Sequence, residues 1–229
     1  MAKPITNRVG EITTEKEALA AVRQDGKALQ YVPDNLRTVE LCLEAVRKNG
    51  IALLFVPEKL RTEEMCLEAV KETGYVLQFV HENLRTAEVC LEAVKTWGYA
   101  FENVPEKLKT PELCLEAVKQ KGYALWYVPE SLRTAELCLE AVRQDGWALQ
   151  WVPEELMTAS PNEFYAICLE AVKKNGSALN AVPKELITAS PDEFRVLCLE
   201  AAKELFAVVF KNVPQPMRDE VIRVLISGE

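Results

Sequence analysis

Seven cysteines are the first residues that invite chemistry. Cys42, Cys66, Cys90, Cys114, Cys138, Cys168 and Cys198 offer disulfides, thiolate ligands for zinc or redox-active nucleophiles. Their spacing argues against all three. Successive cysteines stand 24 residues apart four times and then 30 apart twice, so they share one position of a repeat and form a ladder rather than a cluster. Equivalent atoms of stacked helices lie ~8–10 Å apart, whereas a disulfide needs α-carbons within ~7 Å and zinc needs sulfurs at ~2.3 Å. No C-x-x-C occurs. The expectation is a column of small buried hydrophobes with no cofactor, and redox or metal chemistry is the lesser alternative. Reduced thiols also fit a cytoplasmic address.

The one histidine, His81, stands where other repeats carry the prolines Pro33, Pro57, Pro105, Pro129 and Pro153. A tolerated substitution explains it better than catalysis, because no Ser or Cys shows a His partner in the pattern. G-x-S-x-G, H-E-x-x-H, G-x-G-x-x-G and the P-loop motif are missing from the sequence. The expectation is therefore no enzyme and no catalytic residue. Carboxylates recur in two columns, Glu44, Glu68, Glu92, Glu116, Glu140, Glu170 and Glu200, and Glu40, Glu64, Glu88, Glu112 and Glu136. A basic column, Arg47, Lys71, Lys95, Lys119, Arg143, Lys173 and Lys203, follows the first at i+3, so a self-neutralised ridge is favoured over an acidic binding surface.

The elements that position these columns follow from the period. Thr14, Thr38, Thr62, Thr86, Thr110, Thr134 and Thr158 each open a unit, and Gly26, Gly50, Gly74, Gly98, Gly122 and Gly146 keep the same step of 24. Thr38 is an N-cap, Glu40 adds negative charge to the first turn, and Gly50 is read as the left-handed residue ending the helix. Between them Leu41, Cys42, Leu43, Ala45 and Val46 cover more than half the circumference, so the helix must be covered on two sides. Ala52, Leu53, Val56 and Leu60 then give a short second helix and a turn with proline at the first helical position. A unit this small cannot bury its apolar face alone. Eight of them stacked make an all-α solenoid of helix-turn-short-helix repeats.

The expected organisation is a leader over 1–13, one repeat domain over 14–218, and the rest of a capping helix over 219–229. Glu17 and Ala18 stand where later units place Leu and Cys, which marks a polar N-terminal cap. Val221, Ile222, Leu225 and Ile226 form the apolar face of the C-terminal one. The last two full units, opening at Thr158 and Thr188, carry six-residue TASP-type insertions. Ser160 with Glu163 and Ser190 with Glu193 read as capping boxes on helices lengthened by about two turns. Phe164, Tyr165 and Phe194 lie near that step. The run Leu205 to Val213 lacks the glycine.

Composition narrows the function. The 229 residues hold 27 Lys plus Arg against 35 Asp plus Glu, a net charge of −8, with 49% hydrophobic residues. A nucleic-acid surface needs clustered cations, so nucleic acid is a disfavoured partner. No apolar run reaches the ~18 residues of a membrane span, and Met1 to Thr14 lacks a signal-like apolar stretch, so no membrane is expected and the cytoplasm is the default.

The string Leu41-Cys-Leu-Glu-Ala-Val-Arg-Lys-Asn-Gly50, followed by Ala-Leu and Val-Pro-Glu-x-Leu-Arg, resembles the short tandem repeats of a bacterial family catalogued as domain of unknown function 4116. The resemblance covers nearly the whole chain. It implies a helical repeat and brings no assigned activity.

Positions that vary between units are free of scaffold duty. On the short helix they carry Tyr75 and Phe79, Tyr99, then Tyr123, Trp126 and Tyr127, then Trp147 and Trp151, with Trp97 just before Gly98. Such aromatics either fill the seam between layers, the larger share of the reading, or face a ligand. On the second reading Trp97, Tyr99, Tyr123, Trp126, Tyr127, Trp147 and Trp151 bind a protein or peptide partner, with Trp126 foremost. The alternatives are base stacking on nucleic acid, which acidity disfavours, and an aromatic platform for a carbohydrate or small ligand. The column Arg37, Arg61, Arg85, Lys109 and Arg133 is expected to bridge successive units. The sequence leaves oligomeric state open.

Overall fold

A computed structural model describes residues 12–209. The described chain is an all-α repeat solenoid, built only of α-helices and 3-10 helices. It divides into two compact units, Met1–Leu108 and Lys109–Glu229.

The first unit holds four layers, led by α1 (Glu15–Gln24), α2 (Val39–Lys48), α3 (Glu63–Glu72) and α4 (Ala87–Thr96). Each helix opens as its sequence requires. The Thr38 hydroxyl accepts the Leu41 N–H at 3.2 Å, and Thr62 and Thr86 repeat the bond to Met65 and Val89. Thr14 adds a full capping box, in which Glu17 accepts from Thr13 and Thr14 N–H at 2.9 and 3.0 Å. Leu41, Cys42, Ala45 and Val46 are buried, and Met65, Cys66, Ala69, Val70 and Val89, Cys90, Ala93, Val94 repeat that stripe. Neighbouring helices pack on each other through it, α1 on α2, α2 on α3 and α3 on α4.

The end of each helix differs from the expected left-handed glycine. Asn49 is extended at φ −158° and ψ 113°, and its N–H bonds the Ala45 carbonyl. Its side-chain oxygen also accepts the Ile51 N–H at 3.0 Å, so one residue closes α2 and starts the 3-10 helix Gly50–Phe55. No separate turn intervenes. Gly50 is required for proximity instead: a Cβ there would sit 2.7 Å from the Ala69 carbonyl oxygen of the next layer. The second helix is thus a 3-10 helix, with Ala52 and Leu53 buried. Pro57, at φ −54° and ψ 137°, precedes the one-turn 3-10 piece Glu58–Leu60 as its cap rather than standing at its first position. His81 keeps the same backbone at φ −63° and ψ 145°, which is why it can replace proline.

The second unit begins with α5 (Pro111–Gln120) and α6 (Ala135–Gln144), capped by Thr110 and Thr134. The insertions then change the pattern. The one-turn 3-10 piece becomes a short α-helix, α7 (Glu155–Ala159) before α8 (Pro161–Lys174) and α9 (Glu185–Ala189) before α10 (Pro191–Val209). Thr158 and Thr188 therefore lie inside α7 and α9 and open nothing. Ser160 is the cap residue of α8, but its side chain makes no capping bond, so the expected box with Glu163 does not form. α8 has 14 residues against 10 in α6, one extra turn of ~6 Å rather than two. Phe164 in that turn is buried, while Tyr165 and Phe194 are half-buried. α6 packs on α5 and α8, and α8 on α10. α10 runs as helix through Val209, past the start of the irregular stretch. Residues 1–11 of the expected leader over 1–13, and the closing helix with Val221, Ile222, Leu225 and Ile226, lie outside the described residues.

Candidate partner-binding surface

In the 3-10 helices from Gly50–Phe55 to Gly146–Trp151 the third and fourth residues are buried, and the second, fifth and sixth are exposed or half-buried. In the first unit Tyr75, Phe79 and Tyr99 are exposed and Trp97 is half-buried. Their rings form a chain: Phe79 to Tyr75 at 5.6 Å, Tyr75 to Trp97 at 5.5 Å, and Trp97 to Tyr99 at 5.6 Å between centroids. The second unit repeats the arrangement. Tyr127 meets Tyr123 at 5.9 Å, Tyr123 stands edge-on to Trp151 at 4.8 Å and 88°, and Trp151 meets Trp126 at 5.9 Å. Trp126 is 53% exposed, Trp147 40% and Tyr123 37%, whereas Tyr127 and Trp151 are half-buried. The two readings of these aromatics therefore coexist within each unit. Trp97 and Trp151 pack in the seam, and Trp126, Trp147 and the tyrosines show open ring surface. Among the described residues Trp147 meets no other ring, since the following 3-10 helix, Gly176–Ala181, has Ser177, Asn180 and Ala181 at the presenting positions.

The basic column holds this row in place from beneath. Arg133 donates Nε to the Val128 carbonyl at 3.0 Å, Nη1 to the Trp151 carbonyl at 3.0 Å and Nη2 to the Trp126 carbonyl at 3.3 Å. Arg61 reaches the Val56 and Phe79 carbonyls at 3.1 and 2.7 Å, and Arg85 reaches Val80 and Asn103 at 2.9 and 2.7 Å. Lys109, itself buried, donates to the Tyr127 carbonyl at 2.8 Å. Each arginine links the carbonyl end of one short helix to the next, so the expected bridge between successive layers is made, within each unit, through backbone oxygens that a short helix leaves unpaired. Sequence spacing gave the column but not its acceptors.

A second side-chain cap recurs before the short helices. Asp25, Asn49, Asp145 and Asn175 accept the N–H two residues on, capping the short helix that follows. The signal was the recurrent Asp-Gly or Asn-Gly pair. Trp97 occupies this position in its layer and makes no such bond. A cap is forgone there for an aromatic ring, which the scaffold does not require.

The other chemically capable residues are accounted for locally. Cys42, Cys66, Cys90, Cys114, Cys138 and Cys168 are buried, Cys198 is half-buried, and all seven stand as thiols. Burial pushes the thiols of Cys42, Cys66 and Cys90 up to about 11 and those of Cys138 and Cys168 up to about 12, despite nearby arginines at Cys42, Cys66, Cys90 and Cys138. Desolvation raises Cys198 as well. Such thiols are poor nucleophiles at neutral pH. His81 is exposed, with Nδ1 2.7 Å from Asn83 Oδ1 and Nε2 3.9 Å from Glu58. The carboxylate ridge pairs as its spacing implied in Lys71–Glu68, Lys95–Glu92 and Lys203–Glu200, at 3.1, 2.8 and 2.5 Å. Arg23–Glu44 and Arg47–Glu64 tie one layer to the next at 3.0 and 2.7 Å. Among the described residues no group of three or more His, Cys, Asp or Glu is placed to hold a metal ion, and no helix is long and apolar enough to cross a membrane.

Stacked helical layers with invariant buried rows and a variable exposed row define a tandem helical-repeat protein. The chain belongs to the family described as domain of unknown function (DUF4116), whose model matches five overlapping tandem units, residues 18–61, 38–85, 62–109, 86–133 and 110–157. Each matched unit spans about two layers, and the two lengthened layers lie beyond the last of them. No curated protein and no solved structure matches the chain.

Proposed function

We propose that this chain is a non-catalytic repeat scaffold that binds a protein or peptide partner through the aromatic row of its short helices. One observation carries the reading: the large side chains exposed at Tyr75, Tyr99, Tyr123 and Trp147 occupy a position that the repeat fills elsewhere with Lys27, Ile51 or Ser177, and Trp126 one that it fills with Gln30, Leu54, Glu102 or Asn180. The scaffold forms with any of these residues, so the aromatics serve something other than stacking. Tyr and Trp combine large rigid contact area with a polar handle, the composition of interface hot spots. The raised cysteine thiols and the paired carboxylate ridge support a structural rather than catalytic use of the remaining reactive groups.

The test is quantitative capture of the partner from cells of the source organism by the wild-type chain and by Trp126→Ala/Trp147→Ala. Trp147 is the better companion to Trp126 because Trp151 is half-buried among rings. The variant is expected to lose the partner while its melting temperature stays within ~3 °C of wild type, as surface changes do. Undiminished capture, or loss of capture together with the fold, refutes the proposal.

A further inference from the structure

We infer that the occupant of the second unit's aromatic surface is a basic segment in the polyproline II conformation, laid across the layers. The inference rests on the partner-binding reading above and adds the partner's conformation and charge. The conformation comes from spacing. The 3-10 helices Gly122–Tyr127 and Gly146–Trp151 pack side by side, and packed helices stand ~8–10 Å apart. A polyproline II chain turns once every three residues and rises about 9 Å in doing so. It therefore sets a like-facing residue against each successive layer. An extended strand repeats its face every ~7 Å and an α-helix every ~5.4 Å, and neither keeps step with the layers. Flat, rigid Tyr and Trp faces are also what proline rings pack against.

The charge comes from the segment that follows each short helix. Glu130 and Glu154, both exposed, follow Tyr127 and Trp151 by three residues and make no ion pair among the described residues. The cation beneath the row, Arg133, has its guanidinium bonded to three backbone carbonyls. At the foot of the two short helices Lys121 and Asp145 oppose one another in sign, and the positions presented above them are Tyr123, Trp126 and Tyr127, then Trp147, Gln150 and Trp151. With Arg133 so engaged and Lys121 offset by Asp145, Glu130 and Glu154 leave the carboxyl ends of these short helices acidic, on a chain of net charge −8. An Arg or Lys every third residue of the occupant would meet acid at each layer and indole faces beside it.

The probes are three synthetic peptides, (Pro-Pro-Arg)4, (Pro-Pro-Glu)4 and (Gly-Gly-Arg)4, titrated into the full chain by calorimetry. The first is expected to bind at least about tenfold more tightly than either of the others, from stiffness in one comparison and charge in the other. Trp126→Ala/Trp147→Ala should weaken it about tenfold. Glu130→Gln/Glu154→Gln, which removes charge from two exposed side chains, should weaken it roughly three- to fivefold with an unchanged circular dichroism spectrum. Equal binding of (Gly-Gly-Arg)4 overturns the conformation, and equal or tighter binding of (Pro-Pro-Glu)4 overturns the charge. Binding by none of the three overturns the inference entirely. Partner capture that still depends on Trp126 and Trp147 then leaves the broader proposal standing.

Discussion

Single residues in this repeat do work that their type alone does not announce. The cysteines were legible as a buried column because their spacing forbids convergence, and burial then decides their chemistry. The thiols of Cys42, Cys66, Cys90, Cys138 and Cys168 are raised from 9.0 to about 11 or 12, so the folded state holds protons that the unfolded chain releases near pH 9. Stability from this source is complete below about pH 9 and is lost as pH rises through 11–12. Urea unfolding at pH 7, 9 and 10.5 should show a fall above pH 9 that shrinks when Cys66 and Cys90 are replaced by alanine; an unchanged slope would mean that these thiols ionise as freely folded as unfolded. The role of Gly50 was not legible in the sequence, for a physical reason. Sequence pattern sees a helix ending at glycine and supplies the commonest cause, positive φ, whereas the constraint here comes from the next layer, 19 residues away at the Ala69 carbonyl. Gly50→Ala should cost about 1–3 kcal/mol in urea unfolding, and Gly50→Asn no less, although asparagine tolerates the left-handed region. Rescue by asparagine would restore the first interpretation.

Helix starts were legible in the sequence, and the short helices were not. Threonine caps and the apolar stripe are local signals, and the structure follows them from Thr14 to Thr134. The 3-10 form was not legible, because apolar residues at the third and fourth positions fit either helix type over six residues. Its carbonyl end is held by the arginine column, a contact 18 residues away that no local pattern reveals. Arg133→Met should therefore cost about 2–4 kcal/mol, since the carbonyls of Val128, Trp126 and Trp151 each lose a charged donor. Arg133→Lys should recover about half, on the precedent of Lys109 bonding the Tyr127 carbonyl. Chemical denaturation measures both, and equal loss in the two variants would assign the effect to packing of the stem rather than to the hydrogen bonds. The insertions show the same limit of local reading. Ser-Pro-x-Glu matches a capping box in composition, yet Ser160 at φ −143° and ψ 67° does not aim its hydroxyl at the helix.

For the whole molecule, periodicity carried the class: a strict period of 24 with one apolar stripe per unit admits stacking and little else. The aromatic positions were legible as variable but not as exposed or buried, because a residue beside a seam can turn either way and only packing decides. Packing divides them, with Trp97 and Trp151 set among rings and Trp126, Trp147, Tyr99 and Tyr123 open to solvent. The central claim is that this divided row, and not the outer ridge of glutamates and lysines, meets the partner. Backbone hydrogen exchange, measured on the chain with and without its captured partner, tests that claim most directly. The account predicts new protection in the short helices Gly122–Tyr127 and Gly146–Trp151, with the outer faces of α5 and α6 unchanged. Protection confined to α5 and α6 around Glu116, Lys119, Glu140 and Arg143 would contradict it.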